Sequence, residues 1–330
     1  MTAEMPTAAG PTLLDLHDAL LLDLDGVVYV GPHPVRHAVD ALHAASAAGV
    51  TTAYVTNNAA RPAAVVAEHL RSFGLHVDEH DVVTSAQAGA REVAARVPPG
   101  SRVLAVGGPG VALSLQARGL VPVASAADLP AAVLMGYGPD VSWRELAEAS
   151  YAVGAGALLV ATNLDLSIPT DRGIAPGNGA LVGAVVTATG IAPTAVAGKP
   201  FEPLVRESIE RVGARHPLMV GDRLDTDIEA GHRSGIPSLL VLTGVTGVVD
   251  LLAAPMIQRP TFLAADLRGL ALPAATLSVA AVAGGPTPDD GLAGLRAACR
   301  EAWAAADAGV AAPEHDLVAL MSDVAAALAD

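Results

Sequence analysis

Short apolar segments that end abruptly in glycine or polar residues recur along this chain, and they restrict its fold more than any other feature. Many are followed by a loop and an amphipathic stretch, such as Pro62–Phe73, Trp143–Val153 or Glu202–Val212. Apolar runs of this length are typical of strands buried on both faces of a parallel sheet. Their alternation with helices predicts an α/β architecture. The predicted strands are Ala19–Leu22, Thr52–Val55, Val103–Val106, Ala131–Met135, Ala157–Val160, Leu218–Val220 and Leu239–Leu242.

The composition indicates a globular protein with sizeable apolar cores and an acidic surface. Hydrophobic residues make up 52% of the 330 residues and charged residues 16%, so long disordered regions are not expected. The 34 acidic and 19 basic residues give a net charge of −15, which disfavours a nucleic-acid partner. The same charge repels an anionic substrate unless a metal ion or a basic side chain reverses the field at the site.

Cysteine content and hydropathy bear on location. The single cysteine, Cys299, excludes a disulfide framework and is consistent with a reducing compartment. The first residues lack the basic and apolar regions of a signal peptide. No uninterrupted apolar run reaches the ~18 residues that a membrane span needs. We therefore expect a cytoplasmic protein without a membrane partner.

Two aspartates follow the first predicted strand. Because ligands bind at the carboxyl ends of the strands in open parallel sheets, polar residues at strand ends are candidate site residues. Asp23 and Asp25 lie at such an end, in LLLDLDGVVYVG. Carboxylates at the tip of an apolar strand are unfavourable unless they are solvated, paired or bound to a cation. Asp-Gly is also an ordinary turn sequence, so this motif alone leaves a structural role open.

A cluster of hydrogen-bonding side chains follows the second predicted strand. Thr56, Asn57 and Asn58 stand at its end, before a helix that opens near Pro62. A hydroxyl, amide groups and the positive end of a helix can together hold phosphate oxygens. Thr and Asn are also common helix caps, and for this motif alone capping is the favoured interpretation.

A lysine and a group of carboxylates complete the candidate residues. Lys199 stands between Gly198 and Pro200, a rigid setting that indicates a fixed cation rather than a mobile surface charge. In LMVGDRLDTDIEAG, three carboxylates fall within six residues after an apolar strand and suit a hard cation with oxygen ligands. Acidic residues on a surface loop are the alternative. The three are Asp222, Asp225 and Asp227.

These residues together can carry out phosphoryl transfer. Mg²⁺ would be held by Asp23, by the backbone carbonyl of Asp25 and by Asp222. Asp23 would attack the phosphorus and form an aspartyl-phosphate. Asp25 would protonate the leaving oxygen and then accept a proton from the hydrolytic water. The equatorial oxygens would be stabilised by Thr56, Asn57 and Lys199.

The motifs DLDGVVY, VTNN, GKP and GDRLDTDI, in this order, resemble the haloacid dehalogenase superfamily of phosphatases. The resemblance covers about residues 20–270 and is greatest to the branch with p-nitrophenyl, phosphoglycolate and pyridoxal phosphatases. It implies a doubly wound, parallel-sheet, Rossmann-like core at 1–83 and 193–270, with an α/β cap inserted at 84–192. It also implies that Asp23 is the nucleophile and Asp25 the general acid/base. The implied phosphate ligands are Thr56, Asn57, Asn58 and Lys199. The implied magnesium ligands are Asp23, Asp25 and Asp222, with Asp227 as a support behind the metal.

The loop Asn163–Gly179 of the predicted cap is the candidate specificity element. In relatives with this cap the corresponding loop reaches the leaving group, so we hypothesise that Asp165, Ile168 and Arg172 lie close to the substrate. An ordinary surface loop is the alternative. The segments DVVTSAQ, ATNLD and RGIAPGNG resemble an actinobacterial subfamily that acts on glycerol 3-phosphate. The resemblance implies glycerol 3-phosphate as substrate, followed by phosphoglycolate, with other sugar, nucleotide or pyridoxal phosphates as further alternatives.

Residues 271–330 form a predicted C-terminal appendage with a turn at Gly284–Gly291 and alanine-rich helical patterns. Packing on the core and an independent module are both open. The actinobacterial relatives carry an acetyltransferase-like extension here, of which this segment would be a reduced form. No convincing acetyl-CoA loop is present, so we expect a structural or interfacial role.

The segment Leu104–Gly119 imitates the glycine loop of dinucleotide-binding proteins. A glycine cluster of this kind is a weak signal. Pro109 removes an N–H that a pyrophosphate would need. In addition, no acidic residue follows at ~20 positions at the end of a matching strand. Nucleotide binding at this loop is therefore not expected.

Two other functions compete with hydrolysis. A non-catalytic protein that binds a phosphorylated ligand could use the same fold, but the presence of both Asp23 and Asp25 argues against it. A phosphotransferase stays open, because a cap could shield the aspartyl-phosphate from water. The oligomeric state also stays open, with a homodimer as one alternative.

Overall fold

The computed structural model describes residues 10–170, 172–277 and 288–329. Its strands are β1 (Ala19–Leu22), β2 (Tyr29–Val30), β3 (His33–Pro34), β4 (Thr51–Thr56), β5 (Val82–Thr84), β6 (Arg102–Val106), β7 (Val121–Val123), β8 (Ala132–Met135), β9 (Leu158–Ala161), β10 (Ser167–Thr170), β11 (Gly173–Pro176), β12 (Ala195–Val196), β13 (Pro217–Gly221), β14 (Ser238–Val241) and β15 (Phe262–Ala264). Its helices are α1 (Leu13–Leu16), α2 (Ala38–Ala47), α3 (Ala63–Ser72), α4 (Ser85–Ala94), α5 (Pro109–Ala117), α6 (Trp143–Gly154), α7 (Asn178–Thr189), α8 (Glu202–Val212), α9 (Glu229–Arg233), α10 (Val248–Leu252), α11 (Ala293–Asp307) and α12 (Leu317–Ala329).

The chain forms two compact units. The first contains residues 1–52 and 212–330, and the second contains residues 53–211. The second unit therefore includes β5, α3 and most of β4 and α8, which the sequence assigns to the core, together with the predicted cap at 84–192. The division into core and cap at these residues stays a prediction.

The first unit is built on four parallel strands in the order β15, β14, β13 and β1. All residues of β1, β13 and β14 are buried, which explains why these strands are apolar apart from Ser238 at the start of β14. The register places Leu22 of β1 beside Val220 of β13. Both strands run in the same direction, so the residues that follow them, Asp23 and Asp222, emerge at the same edge of the sheet.

The second unit contains a five-stranded parallel sheet in the order β12, β9, β8, β6 and β7, with helices on both faces. Alternate residues of β6 enter two separate cores, Val103 packing with Val111 of α5 and Leu104 packing with Val182 of α7. Strands β4 and β5 form a parallel pair, and β10 and β11 form an antiparallel hairpin.

All seven predicted strands are present, and their ends differ from the prediction by one residue at most. The missed strands lack the apolar runs on which the prediction depends. Strands β5, β7, β12 and β15 have two or three residues each, and β7 also contains Pro122. The β10–β11 hairpin is largely exposed, so its sequence is not uniformly apolar.

A buried ionic cluster fixes α8, the helix that begins shortly after Lys199. The carboxylate of Glu207 accepts hydrogen bonds from Arg91 (2.9 Å), Arg118 (2.8 Å) and Arg211 (2.6 Å). Burial raises the pKa of Glu207, but hydrogen bonds from Arg211 and Arg91 outweigh this effect and leave the pKa below its usual range. The cluster joins α4, the end of α5 and α8 through one charged centre.

The first helix of the C-terminal appendage belongs to the core of the first unit. Trp303 is 2% exposed and its Nε1–H donates to the carbonyl oxygen of Leu251 (3.0 Å). Arg296 donates to the carbonyl oxygen of Leu263 (2.7 Å) and pairs with the carboxylate of Asp290. The sequence leaves open whether this segment packs on the core or forms an independent module, and α11 packs on the core. Residues 284–287 of the predicted turn at Gly284–Gly291 lie outside the described residues. Residues 1–9, which bear most on the predicted absence of a signal peptide, also lie outside them.

None of the helices in the described parts of the chain has the length and apolar character needed to cross a membrane.

We expect Trp303→Ala to destabilise the protein by about 3–5 kcal/mol, because it removes a buried aromatic side chain and leaves a cavity. Trp143, which is 78% exposed, provides a matched control. Trp143→Ala should change the free energy of unfolding by no more than about 0.5 kcal/mol. Urea denaturation of both variants measures the difference. Equal effects of the two substitutions would show that α11 does not contribute to the core.

Candidate active site

The residues after β1 form a tight turn that begins at Asp23. The N–H of Asp23 donates to the carbonyl oxygen of Val220 (2.8 Å), which extends the pairing of β1 with β13 by one residue. The carbonyl oxygen of Leu24 then accepts from the N–H groups of Val28 (2.9 Å) and Tyr29 (3.1 Å). This turn leaves Asp23 partly buried at the strand tip, while Asp25 is exposed.

Two buried carboxylates follow β13. Asp222 is 1% exposed and Asp227 is fully buried. Oδ2 of Asp222 accepts a hydrogen bond from the N–H of Val245 (2.7 Å), and Oδ2 of Asp227 accepts one from the N–H of Arg223 (3.2 Å). Backbone N–H donors stabilise the charged form of a carboxylate, and each of these two groups has one such donor.

Asp23, Asp222 and Asp227 form a three-carboxylate cluster. One oxygen from each lies within 4.8 Å of the oxygens of the other two. Two like charges ~4 Å apart repel by about 4 kcal/mol at an effective dielectric constant of 20. A divalent cation that prefers oxygen ligands relieves this repulsion, and Mg²⁺ fits the donor set.

The cluster contains two of the three predicted metal ligands. The structure brings Asp23 and Asp222 together as predicted. It also places Asp227, predicted only to support the metal, close enough to be a candidate ligand. The side chain of Asp25 is not part of the cluster, and the role of its backbone carbonyl stays a prediction. Asp225 is exposed and pairs with Arg223 (2.9 Å), which accounts for it without a metal.

Three glycines make room for the cluster, and sequence reasoning did not identify them. A β-carbon at Gly26 would lie 2.7 Å from Oδ2 of Asp222, and one at Gly244 would overlap the same carboxylate. A β-carbon at Gly221 would overlap the side chain of Asp227. Gly26 also has a φ of +84°, which disfavours other residues. The available signal was that Gly221 ends one predicted strand region and Gly244 follows another closely.

The loop after β4, in the second unit, is held by its own side chains. The hydroxyl oxygen of Thr56 accepts from the N–H of Asn58 (3.1 Å). Oδ1 of Asn58 accepts from the N–H of Ala60 (2.9 Å). Asn58 therefore stabilises a turn before α3. The predicted capping of α3 by Thr or Asn is wrong, because Pro62 stands at its N-cap and no side chain caps the helix.

Lys199 is fixed at the end of the same strand. The residue is 3% exposed, and its ammonium group donates to the carbonyl oxygen of Val55 (3.2 Å). Its main chain is held by Asn57, whose Oδ1 accepts from the N–H of Lys199 (2.8 Å) and whose Nδ2 donates to the carbonyl oxygen of Lys199 (3.0 Å). The structure thus brings Thr56, Asn57 and Lys199 together. The Asn57 amide holds Lys199, and a direct contact of Asn57 with phosphate stays a prediction.

The three predicted cap residues are placed differently from one another. Asp165 lies beside Asn57, and its Oδ2 accepts from Nδ2 of Asn57 (3.2 Å). Ile168 is half-buried on β10. Arg172 is exposed in the turn of the hairpin, where its main-chain N–H donates to the hydroxyl of Thr170 (3.3 Å). Of the three, Asp165 joins the residues around Lys199.

The glycine loop before α5 packs against the residues that follow Asn58. The N–H of Gly110 donates to the carbonyl oxygen of Ala60 (3.0 Å). A β-carbon at Gly108 would lie 2.7 Å from the Cα of Ala60, and one at Gly110 would lie 3.0 Å from the carbonyl oxygen of Arg61. The glycines therefore permit a close backbone contact, which explains the motif without a dinucleotide.

Comparison with known proteins gives a consistent result. Residues 20–121 match the family model for haloacid dehalogenase-like hydrolases, and residues 196–270 match a second model described as HAD-hydrolase-like. The D-glycerol 3-phosphate phosphatase of Mycobacterium tuberculosis is 44% identical over 309 residues, which cover 88% of this chain and 86% of the relative.

Two solved structures extend the comparison. The crystal structure of a glycerol phosphate phosphatase from Mycobacterium tuberculosis in complex with magnesium superposes with a TM-score of 0.81 at 42% identity, covering 89% of this chain and 93% of that one. The p-nitrophenyl phosphatase from Archaeoglobus fulgidus superposes with a TM-score of 0.72 at 30% identity, covering 77% of this chain and 98% of that one.

The parallel α/β fold is thus shared with a class of hydrolases, and the relatives named above are phosphatases. This chain belongs to the haloacid dehalogenase-like hydrolase family. The predicted family and the predicted Rossmann-like α/β fold with a cap region are confirmed.

We expect Gly244→Ala to weaken Mg²⁺ binding by about 10- to 100-fold, because the new methyl group displaces the Asp222 carboxylate from the cluster. Gly183→Ala is the matched control, since a β-carbon there meets nothing within 4 Å. Isothermal titration calorimetry with Mg²⁺ alone measures both affinities. Unchanged affinity in Gly244→Ala would mean that the space beside Asp222 does not matter for the metal.

Proposed function

We propose that this protein is a magnesium-dependent phosphomonoesterase that hydrolyses a small phosphorylated metabolite through an aspartyl-phosphate intermediate. The observation that carries the proposal is the cluster of Asp23, Asp222 and Asp227, whose oxygens converge within 4.8 Å at the tip of the first strand. The family and the magnesium-bound relative support it.

Asp23, Asp222 and Asp227 are the residues that would hold the ion. Bound magnesium supplies positive charge that offsets the repulsion between a carboxylate and an anionic phosphate ester. The donor set consists of hard oxygen atoms, and the glycines around it leave space for the carboxylates.

In the proposed reaction, a carboxylate oxygen of Asp23 forms a bond to phosphorus as the bond between phosphorus and the ester oxygen breaks. Asp25 donates its proton to the leaving oxygen and releases the alcohol. The Asp25 carboxylate then removes a proton from a water molecule as that water attacks the phosphorus of the intermediate. Inorganic phosphate leaves and Asp23 is regenerated. The exposed position of Asp25 on the turn after β1 suits this exchange of protons with water.

The second set of residues is proposed to bind the phosphate. The hydroxyl of Thr56 and the ammonium group of Lys199 are the groups that we assign to its oxygens. Asn57 and Asn58 contribute by holding Lys199 and the loop in place. The assignment of Thr56 and Lys199 to the phosphate is inferred from the order of the motifs along the chain and from the family. Lys199 and the metal would together overcome the repulsion from a protein of net charge −15.

Glycerol 3-phosphate is the proposed substrate. The support is the 44% identity, over most of both chains, to a D-glycerol 3-phosphate phosphatase. Phosphoglycolate is the second candidate, because the sequence motifs resemble that branch of the family as well. Ile168 and Arg172, on the β10–β11 hairpin, are proposed to contact the leaving group and to select between these esters.

The partners and the cellular location of the enzyme are also proposals. The excess of 34 acidic over 19 basic residues supports the absence of a nucleic-acid partner. A single, buried cysteine supports a cytoplasmic location. The homodimer stays a prediction.

Asp23→Asn should lower kcat by about 10⁴-fold or more, since it removes the nucleophile. Asp225→Asn is the matched control, because Asp225 lies outside the carboxylate cluster and is exposed beside Arg223. The assay uses a panel of phosphate esters, including glycerol 3-phosphate and phosphoglycolate, with Mg²⁺ and with EDTA. Turnover of Asp23→Asn at the wild-type rate, or wild-type turnover in EDTA, would contradict the mechanism.

Ile168→Ala and Arg172→Ala should change the ratio of kcat/KM for glycerol 3-phosphate and phosphoglycolate by about tenfold, because they remove contacts to the leaving group. Activity on p-nitrophenyl phosphate should change less. The same ester panel measures the ratio. An unchanged ratio in both variants would remove the hairpin from the account of selectivity.

A further inference from the structure

The amide of Asn57 is a branching point in the hydrogen bonding of the second unit. Its Oδ1 accepts from the N–H of Lys199 (2.8 Å), and its Nδ2 donates both to the carbonyl oxygen of Lys199 (3.0 Å) and to Oδ2 of Asp165 (3.2 Å). One side chain therefore connects the peptide groups on both sides of Lys199 with a carboxylate that lies 108 residues away from Asn57 in sequence.

The carboxylate of Asp165 determines which way this amide points. An ionised carboxylate only accepts hydrogen bonds, so the NH₂ group of Asn57 must face it. That orientation leaves Oδ1 of Asn57 to face the N–H of Lys199. If the amide turned over, its oxygen would face both the Asp165 carboxylate and the Lys199 carbonyl, and two attractive contacts would become repulsive. Asp165 thus favours the one orientation that holds Lys199.

Asp165 is itself fixed by its surroundings. Its N–H donates to Oδ1 of Asn163 (3.1 Å), and its carbonyl oxygen accepts from the N–H of Gly179 at the start of α7 (2.9 Å). Nδ2 of Asn163 donates to the carbonyl oxygen of Asn57 (2.8 Å). Asn178 holds Asn163 in turn, because its Nδ2 donates to the Asn163 carbonyl oxygen (2.8 Å). Asn163 and Asp165 therefore hold Asn57 by its main chain and by its side chain.

We propose that Asp165 is a positioning residue that acts through the Asn57 amide to hold Lys199 in place for the phosphate group. This inference rests on the proposed function, since Lys199 is assigned there to the phosphate. It replaces the sequence-based hypothesis that Asp165 lies against the leaving group. A residue that acts on Lys199 affects every phosphate ester alike, whereas a residue that contacts the leaving group affects some esters more than others.

The test compares Asp165→Ala, the volume-conserving Asp165→Asn and the control Asp140→Ala, which removes an exposed carboxylate from the same unit. The readouts are kcat/KM for glycerol 3-phosphate and for p-nitrophenyl phosphate, and the inhibition constant of inorganic phosphate. Circular dichroism confirms that each variant is folded.

Asp165→Ala should lower kcat/KM about tenfold for both esters, and should weaken inhibition by inorganic phosphate several-fold, as expected for the loss of one hydrogen bond to a charged group. Asp165→Asn should recover most of the activity, because its side-chain oxygen can still accept from Asn57. Asp140→Ala should behave like the wild type. A loss confined to one ester, wild-type activity of Asp165→Ala, or no recovery in Asp165→Asn would overturn the inference.

A double-mutant cycle tests the route through Asn57. In an Asn57→Ala background the amide is absent, so Asp165→Ala should cause no further loss, whereas additive losses would exclude this route. Failure of the proposed function can be distinguished from failure of this inference, because the wild type would then hydrolyse no ester of the panel in the presence of Mg²⁺. In that case, calorimetric titration of inorganic phosphate into wild type and Asp165→Ala still decides the inference. Equal affinities would reject it, and weaker binding by Asp165→Ala would support it.

Discussion

Mutual repulsion among three carboxylates is the constraint that governs the site at the end of β1. Asp23, Asp222 and Asp227 bring one oxygen each within 4.8 Å of the others, and two of the three side chains are fully or almost fully buried. Such an arrangement is unfavourable for anions alone. The fold lowers its cost with backbone N–H donors from Val245 and Arg223. It does not remove the need for a positive charge, and a divalent cation meets that need.

The position of the cluster follows from the order of the parallel strands. Strands β1 and β13 are direct neighbours with the same direction, so their following residues meet at one edge. In the second unit, Asn57 follows β4 and its side-chain amide holds Lys199. In each unit a strand thus provides a rigid base for the polar groups at its end.

Sequence reasoning predicted features that are encoded locally. The seven apolar strands and the residues at their ends could be identified because burial on both faces of a sheet leaves a continuous apolar run. The roles of individual side chains could not, because they depend on contacts between distant segments. The amide of Asn57 holds Lys199, 142 residues away, and no local pattern distinguishes this from a phosphate contact. Gly244 and Trp303 were missed for the same reason, since each matters only through a neighbour brought close by the fold.

A crystal structure with Mn²⁺ in place of magnesium, in which anomalous scattering locates the ion, would show directly whether the carboxylates bind a divalent cation. We predict one anomalous peak in contact with oxygens of Asp23 and Asp222, at the edge where β1 and β13 end. A peak remote from all three carboxylates, or no peak at a saturating Mn²⁺ concentration, would contradict it.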